Sequence, residues 1–382
     1  MKYSFDKIID RRGTDCYKYD EMPNDDTIAL WVADMDFETA PCVMDALKKR
    51  MEHCCFGYTM VPDSFYQATI DWFARRHGWE GIKKEWFIYT SGVVPAISAI
   101  IKAMTEPGDK VALHNPAYNC FFSSIRNNKC KTECVEWTDD IEEACSKQDV
   151  KVFLLCNPHN PTGHVWTEAE LTHIAEVCRK HDVFVIADEI HCEFINPSCG
   201  KRYIPFATIA DKVNGNGNVN GNQLRYAVCV SPTKAFNIAG LQIANIICPF
   251  DSIRRRIDRA ININEVCDVN PFGVIALQAA YTKEGEEWLT QLNDYIYANY
   301  NYTVNYFKEH FPQWTPLPLE GTYLLWVNVG SDADKLCKDI LERCNVYINA
   351  GSMYGDNRFI RINLATQRAR LHEAFERIKN FS

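Results

Sequence analysis

Between about residues 85 and 250, short apolar runs alternate with stretches whose apolar residues recur at helical spacing. This alternation predicts βαβ units and a mostly parallel sheet. Several of the runs are apolar on both faces, which is typical of strands that are covered by helices on each side. The predicted strands span residues 86–89, 110–113, 152–156, 183–187, 226–230 and 244–248.

Helical periodicity is clearest over residues 167–181, where the apolar side chains form one stripe. Thr167 and Glu170 have the spacing of a capping box, in which each side chain satisfies the backbone N–H of the other residue. A second helix is expected to begin near Gly92 and to continue through Ile101. These helices would cover the predicted sheet.

The pattern changes after about residue 272, where an α+β order begins. We expect a long helical region at 272–310, a strand at 323–329, a helix at 332–343, a strand at 359–364 and a last helix. The sequence therefore predicts an α/β fold in which a large domain over 44–272 carries a mostly parallel central sheet. Residues 1–43 and 273–382 would form a smaller α+β domain. The Asn- and Gly-rich stretch 214–222 predicts an irregular surface loop.

Composition limits the classes of partner. The chain has 382 residues and a formal net charge of −9, which argues against nucleic acid because that partner requires a basic face. No apolar run reaches the roughly 18 to 20 residues of a membrane span, and the N-terminus lacks a secretory signal, so no membrane association is expected. The 17 cysteines include no C-x-x-C pair and the 10 histidines no H-E-x-x-H motif, so no metal site is predicted. Reduced thiols in this number indicate a cytoplasmic protein.

Polar side chains follow five of the predicted strands, at the point where each strand ends. The carboxyl ends of parallel strands share one edge of a sheet, and ligands bind there in folds of this class. The segments are T-S-G-V (90–93), H-N-P-A-Y (114–118), N-P-H-N-P-T-G (157–163), D-E-I-H (188–191) and S-P-T-K (231–234). We therefore expect these five segments to meet at one site.

Four of these positions have both a chemical and a plain structural interpretation. The helix start near Gly92 suits a phosphate or is simply a turn. Asp188 ends an apolar strand and would need a cation such as a protonated ring nitrogen, unless it caps a turn. Lys234 could form a Schiff base or lie on the surface, and Tyr118 could stack on a flat ring or pack in the core. Together the four positions indicate pyridoxal phosphate, whereas nucleotide motifs such as G-x-G-x-x-G are absent.

Three segments resemble those of fold-type I pyridoxal-phosphate enzymes, and the resemblance covers nearly the whole chain. They are N-P-H-N-P-T-G (157–163), A-D-E-I-H (187–191) and S-P-T-K-A-F-N-I-A-G (231–240). Within that superfamily, L-W-V-A-D-M-D-F (30–37), F-G-Y-T (56–59) and D-E-I-H are similar to the cystathionine β-lyase-like C–S lyases, a branch that includes the maltose-regulon modulator. The resemblance implies the fold-type I transferase fold and pyridoxal 5′-phosphate as the cofactor.

The resemblance also implies which residues hold the cofactor. Lys234 would form the Schiff base and then move the substrate Cα proton. Asp188 would keep the ring nitrogen protonated, and Tyr118 would stack on the ring. The expected phosphate ligands are the backbone of Gly92 and Val93 with the side chains of Ser231 and Thr233.

Four further residues would serve the substrate or the assembly, according to the same resemblance. Asn160 would hydrogen-bond the ring 3′-oxygen and face the substrate, and Arg361 would bind the substrate α-carboxylate through two parallel hydrogen bonds. Trp31 would line the substrate side. Tyr58 would reach the cofactor phosphate of a neighbouring subunit, which implies a homodimer with sites at its interface.

Two positions depart from the pattern of many aminotransferases. Gln242 stands where an arginine commonly binds the phosphate, and His191 stands where a tyrosine commonly donates to the ring oxygen. Both changes remove a strong donor, which favours the C–S lyase branch.

The leading hypothesis is a β-lyase that converts L-cystathionine or related cysteine S-conjugates to a thiol, pyruvate and ammonia. An aminotransferase of an aromatic or neutral amino acid is the alternative, because the same lysine moves the proton in both reactions. A third hypothesis is a regulatory protein that sequesters a transcription factor and has residual lyase activity.

Overall fold

The structure, a computed structural model, describes residues 3–215, 223–263, 265, 268–330 and 332–380. The described strands are β1 (Ile28–Ala29), β2 (Phe87–Thr90), β3 (Lys110–Asn115), β4 (Lys131–Glu136), β5 (Val150–Cys156), β6 (Phe184–Asp188), β7 (Tyr226–Val230), β8 (Ala244–Ile247), β9 (Thr315–Pro316), β10 (Leu324–Asn328), β11 (Val346–Tyr347), β12 (Asn349–Ala350) and β13 (Phe359–Asn363).

Helices connect most of these strands. They are α1 (Pro41–Met51), α2 (Asp63–His77), α3 (Val93–Met104), α4 (Asn119–Asn127), α5 (Glu142–Cys145), α6 (Glu168–Lys180), α7 (Phe206–Gly215), α8 (Asp251–Asn262), α9 (Pro271–Ala280), α10 (Lys283–His310), α11 (Ala333–Cys344) and α12 (Arg368–Lys379). The capping box predicted for α6 is present, with both reciprocal bonds between Thr167 and Glu170. Among the described residues, no helix is long and apolar enough to cross a bilayer.

The central sheet has seven strands in the order β2-β8-β7-β6-β5-β3-β4. Strands β3 to β7 pair in parallel, whereas β8 runs antiparallel to both of its neighbours. The predicted α/β fold with a mostly parallel central sheet is thereby confirmed. The sequence analysis missed β4, an edge strand with the pattern K-T-E-C-V-E. Its charged residues suit an unpaired edge but hide the apolar signal of a strand.

Two apolar layers cover the central sheet. Alternate residues of one strand point to opposite faces, and in β5 Phe153 and Leu155 belong to one hydrophobic cluster while Val152 and Leu154 belong to another. The first cluster includes residues of α6 and α7, and the second includes residues of α3, α4 and α8. The runs that are apolar on both faces are therefore strands buried between two helical layers.

A second sheet of four strands has the order β12-β13-β10-β9 and pairs antiparallel throughout. The short β1 pairs in parallel with β11, which ties the N-terminal segment to this part of the chain. The region predicted as helical over 272–310 is two helices, α9 and α10, because the Thr282 side chain caps a new helix by accepting from the Gly285 N–H at 3.2 Å.

The Asn- and Gly-rich stretch is only partly described. Asn214 and Gly215 are the last residues of α7, so the first two residues of the loop predicted at 214–222 are helical instead. Residues 216–222 of that prediction lie outside the described residues.

Candidate functional site

A cavity of about 190 Å³ lies at the carboxyl edge of the central sheet. Each of the five segments expected to meet at one site contributes to its wall. The lining residues are Ala33, Ser91, Gly92, Val93, Val94, Pro95, Tyr118, Cys156, Asn160, Asp188, Ile190, His191, Thr233, Lys234, Ala239 and Gln242. The structure thus brings together most of the predicted site residues.

Lys234 lies in the turn that follows β7, and its amine faces the cavity. Its Nζ donates to the backbone carbonyl of Ala33 at 2.5 Å, and the Tyr323 hydroxyl donates to the same oxygen at 3.0 Å. Burial lowers the pKa of Lys234 to about 8, because desolvation disfavours the charged form. The neutral fraction of this amine near physiological pH is therefore far larger than that of an exposed lysine, and the neutral form is the one that a base or nucleophile requires.

Asp188 is the last residue of β6, and only 4% of its surface is exposed. Its Oδ1 accepts from the Ile190 backbone N–H at 3.1 Å. Burial raises the pKa of Asp188 to about 7, against the opposing effects of that N–H and of Lys234. Within the described chain, no cation forms an ion pair with this carboxylate. A protonated ring nitrogen in the cavity would supply the missing positive charge.

His191 lines the same wall, and its Nδ1 is buried without a hydrogen-bond partner among the described residues. Burial, together with the smaller effects of the nearby Lys234 and Arg361 charges, lowers the pKa of His191 to about 3. The imidazole is therefore neutral, and one of its nitrogens is free to bond a polar group of a ligand. A buried polar atom without a partner is unfavourable, so this nitrogen supports a polar occupant of the cavity.

One end of the cavity suits a phosphate. Helix α3 begins at Val93 after Gly92, and no side chain caps its first turn, so free N–H groups and the positive end of the helix dipole face the cavity. Thr233 adds a hydroxyl to the wall, at 2.8 Å from the Ser231 hydroxyl. Ser231 lies behind Thr233 and donates to the Ile243 carbonyl at 2.6 Å. These groups and Asp188 together fit the pyridoxal phosphate that the sequence resemblance implies.

Arg361 approaches the cavity from β13 of the second sheet and is 2% exposed. Its guanidinium donates to the Asn160 Oδ1 at 3.2 Å and to the Trp31 carbonyl at 3.0 Å, and it lies 4.4 Å from the centre of the Tyr354 ring. Its Nε has no hydrogen-bond partner, and no carboxylate of the described chain pairs with it. A buried guanidinium without a counter-ion fits a substrate carboxylate.

Four predicted residues are not part of the cavity lining: Ser231 lies behind Thr233, Arg361 lies next to the lining residue Asn160, and Trp31 and Tyr58 are directed elsewhere. The Trp31 ring stacks on Tyr347 with the ring centroids 5.0 Å apart, and its Nε1 donates to the Lys18 carbonyl. Only the backbone of Trp31 reaches Arg361. Tyr58 is 98% exposed and lies outside the cavity of its own chain. By contrast, Tyr118 lines the cavity as expected.

Ala33 and Tyr323 at the site were missed by the sequence analysis. Ala33 contributes a backbone carbonyl, and a backbone acceptor leaves no mark on residue type. Tyr323 is fully buried next to His191, with the ring centroids 5.8 Å apart. Its position at the start of a predicted strand gave no sign of a polar contact.

A second cluster of titratable groups joins His77, Cys192 and Glu193, whose side-chain donor atoms lie within 4.8 Å of one another. The Glu193 carboxylate already accepts from Arg76 at 2.9 Å, from the Trp72 Nε1 at 2.6 Å and from His77 at 2.8 Å. Because the Arg76 guanidinium neutralises this carboxylate, the cluster is an ion-pair network, and it gives no support for a metal.

Comparison with known proteins agrees with this geometry. The sequence profile described as aminotransferase class I and II matches residues 25–378. A protein named cystathionine beta-lyase PatB, from Bacillus subtilis (strain 168), is 33% identical over 98% of this chain and 99% of its own.

Two solved structures have the same fold along almost the whole chain. One is a PLP-bound protein from Clostridium difficile 630, named as a candidate aminotransferase, with 36% identity, a TM-score of 0.91 and coverage of 99% of both chains. The other is the PLP-bound C-S lyase from Staphylococcus hominis, with 30% identity, a TM-score of 0.87 and coverage of 99% of this chain and 98% of that one. The family and fold predicted from the sequence are confirmed: the chain belongs to the aminotransferase class I and II family.

Proposed function

We propose that this protein is a pyridoxal-phosphate-dependent carbon–sulfur β-lyase that cleaves L-cystathionine or related cysteine S-conjugates to a thiol, pyruvate and ammonia. The predicted cofactor and reaction class are confirmed by relatives that include a cystathionine β-lyase and a PLP-bound C–S lyase. The choice of substrate and the residue roles below are part of the proposal.

One arrangement carries the proposal: Lys234 and Asp188 line a single cavity, and Arg361 lies next to it, where its guanidinium donates to the lining residue Asn160 at 3.2 Å. Among the described residues, no cation forms an ion pair with Asp188 and no carboxylate with Arg361, and burial lowers the pKa of the Lys234 amine to about 8. An α-amino acid joined to a pyridine ring offers a matching carboxylate and ring nitrogen. The charges of the protein and of the ligand therefore balance only when the cavity is filled.

Each residue then has a defined task. When bound, pyridoxal phosphate withdraws electrons from the substrate Cα and so weakens its C–H bond. Asp188 keeps a proton on the ring nitrogen through its carboxylate, and Lys234 Nζ removes the Cα proton. Arg361 orients the α-carboxylate so that the Cα–H bond faces the lysine. Tyr118 lies in the cavity wall and excludes water from one face.

Gln242 favours the lyase over a transaminase. It lines the cavity with a left-handed backbone (φ 49°) and carries a neutral amide, where many aminotransferases place an arginine. His191 is neutral as well, since burial lowers its pKa to about 3. Gln242 therefore replaces a cationic donor and His191 replaces a hydroxyl donor of the usual transaminase pattern.

The active unit is a homodimer, with Tyr58 reaching the cofactor phosphate of the second subunit. Tyr58 is 98% exposed in the single chain, and its neighbours Phe56 and Met60 are 53% and 79% exposed. Large apolar side chains exposed side by side favour a protein interface. This interface would bury them and complete the phosphate site.

The two-domain organisation and the cytoplasmic setting belong to the same proposal. All strands of the seven-stranded sheet fall within 44–272, and all strands of the four-stranded sheet fall within 273–382, which supports the predicted division. The sixteen cysteines of the described chain are all free thiols, which supports a reducing compartment.

The decisive experiment is pyruvate release from L-cystathionine by the purified holoenzyme without any added keto acid. We expect pyruvate, ammonia and thiol in equal amounts. Lys234→Ala should abolish both the turnover and the visible absorbance of the lysine-bound cofactor, whereas Lys212→Ala, an exposed lysine paired with Glu168, should preserve both. Turnover that needs 2-oxoglutarate would identify a transaminase instead.

A further inference from the structure

Residues 31–37, which we call the strap, have no helix or strand structure and reach the cavity wall at Ala33. All seven of its backbone carbonyls accept hydrogen bonds from side chains elsewhere in the chain. The donors are Asn349 and Arg361 to Trp31, Asn363 to Val32, Lys234 and Tyr323 to Ala33, Asn363 and Lys18 to Asp34, Asn237 and Arg11 to Met35, Gln367 to Asp36, and Asn237 to Phe37.

This pattern is a structural solution to a general requirement. A buried backbone carbonyl needs a donor, and in the strap only the Val32 carbonyl also accepts from a backbone N–H, that of Asp34 at 2.9 Å. Side-chain amides supply six of the eleven side-chain hydrogen bonds to these carbonyls. The strap is therefore held in one conformation by residues of other elements.

Asn237 makes three hydrogen bonds to the strap, more than any other side-chain amide of the described residues. It accepts from the Met35 N–H at 3.0 Å and donates to the Met35 and Phe37 carbonyls, both at 2.9 Å. All of its side-chain hydrogen-bonding groups contact the strap. Its backbone has φ 54°, the left-handed region that asparagine tolerates better than most residues.

Asn237 lies three residues after Lys234 in the same turn. Lys234 Nζ donates to the Ala33 carbonyl at 2.5 Å, so one turn contacts the strap at two places, Ala33 and Met35–Phe37. A shift of the strap at the second place would move the acceptor of the lysine at the first.

We propose that Asn237 is a positioning residue for Lys234: it fixes the strap so that the Ala33 carbonyl accepts from the lysine amine whenever that amine is free. The inference rests on the proposed function, in which Lys234 is the cofactor-binding lysine. It gives a task to two sequence motifs, 30–37 and 231–240, that the cofactor contacts alone do not explain.

The strap also keeps water from Lys234. Several elements contribute charged or titratable groups that interact electrostatically with this amine: Asp34, Asp188, Arg361, Cys120 and His191. Burial has the largest effect, and it lowers the lysine pKa. Loosening the strap would hydrate the nitrogen of Lys234 and favour its protonated form.

Two variants separate the effect of the Asn237 side-chain hydrogen bonds from the effect of its backbone conformation. Asn237→Gly permits the same φ but removes all three hydrogen bonds. Asn237→Asp keeps the acceptor for the Met35 N–H and removes both donors. The control variant is Asn345→Gly. Asn345 resembles Asn237 because its backbone has φ 53° and its side chain makes hydrogen bonds, in this case with Asn24 and Asp26. It follows helix α11 and does not line the cavity.

The test uses the holoenzyme and two measurements that do not depend on its substrate. Hydrogen–deuterium exchange of peptides covering 31–37 should become about tenfold faster in Asn237→Gly. The pH midpoint of the visible absorbance of the lysine-bound cofactor should rise by about half a unit or more in both variants. Asn345→Gly should change neither quantity.

Faster hydrogen–deuterium exchange in Asn237→Gly with an unchanged pH midpoint would show that Asn237 has only a structural role, and it would overturn the inference. Unchanged exchange of the strap in Asn237→Gly would overturn it as well. If Asn237→Gly does not fold, Asn237→Asp decides by the same criteria. Wild-type protein without the visible absorbance would overturn the proposed function itself, and the inference would fall with it.

Discussion

The Arg361 guanidinium donates to the side-chain oxygen of Asn160 at 3.2 Å, and both residues are almost fully buried. Arg361 belongs to β13 of the second sheet, whereas Asn160 follows β5 of the central sheet. One hydrogen bond thus joins the two sheets at the cavity. Under the proposed function, this bond would align a substrate held by Arg361 with the wall that binds the cofactor.

Arg361→Lys should raise KM for L-cystathionine about 10- to 100-fold with a smaller effect on the visible absorbance of the cofactor. Lysine keeps the charge but cannot form two parallel hydrogen bonds with a carboxylate, and a lost charge-assisted bond costs about 1.5 to 3 kcal/mol. Steady-state kinetics measure the change. Arg358→Lys, at an exposed position paired with Asp356, is the control. An unchanged KM in Arg361→Lys would mean that the carboxylate binds elsewhere.

Asp188→Asn should reduce kcat about 100-fold or more, because a neutral amide does not stabilise a proton on the ring nitrogen. The same variant should stabilise the cofactor-free protein. Burial raises the pKa of Asp188 from its usual 3.8 to about 7, so the stability contributed by the neutral carboxyl is complete below pH 3.8 and is lost as the pH rises through 7.

Denaturant unfolding of the cofactor-free protein tests this sign. At pH 8 the free energy of unfolding should be higher in Asp188→Asn than in wild type by about 2 to 4 kcal/mol, and at pH 4 the two proteins should be alike. Asp182→Asn, at an exposed position paired with Arg225, should show no such pH dependence. A lower stability of Asp188→Asn at pH 8 would contradict the account of an unpaired buried carboxylate.

The stability of the fold should fall in mild acid through His114. This residue is buried, stacks on Trp166 with the ring centroids 4.8 Å apart, and has a pKa that burial lowers to about 4. Its neutral form stabilises the fold above pH 6.5, and that contribution is lost as the pH falls towards 4. Between pH 7 and pH 5 the loss should be about 2 kcal/mol.

His114→Phe should reduce the wild-type loss by about 2 kcal/mol, because phenylalanine retains the aromatic packing and cannot be protonated, whereas the loss that comes from the buried His191 should remain. Urea unfolding at pH 7 and pH 5 gives the comparison. His173→Phe, at an exposed position, should keep the full pH dependence of the wild type. Equal losses in wild type and His114→Phe would assign the acid sensitivity to other groups.

Tyr58→Phe should weaken cofactor retention about fivefold, since one hydrogen bond to the phosphate is worth roughly 1 kcal/mol. The effect requires a dimer, so light scattering should give twice the mass of the chain. Tyr17→Phe, at an exposed tyrosine whose ring contacts Trp31 at a tilt of 55°, should retain the cofactor like wild type. A monomeric wild-type protein would contradict the role of Tyr58.

The sequence predicted those parts of the structure in which the apolar or polar character of the side chains matches their burial or exposure. Strand β7 has the predicted bounds, 226–230, because all of its residues are apolar and the site residues follow at once. Strand β4 was missed because half of its side chains meet solvent. The strap contacts were missed for a different reason. They use backbone carbonyls, which every residue type has, so the residue type does not reveal them. The Trp31 ring was misplaced because a motif fixes a position in the chain and leaves the direction of a side chain open.

The contacts of the strap also affect the order in which the protein can be completed during synthesis. Residues 31–37 leave the ribosome early, yet their carbonyls bind side chains at 237, 349, 361, 363 and 367. Domains generally fold as their residues emerge, but this segment has no complete set of partners until Gln367 has been made. A nascent chain that ends before that residue therefore leaves some of the carbonyls of the strap without their donors.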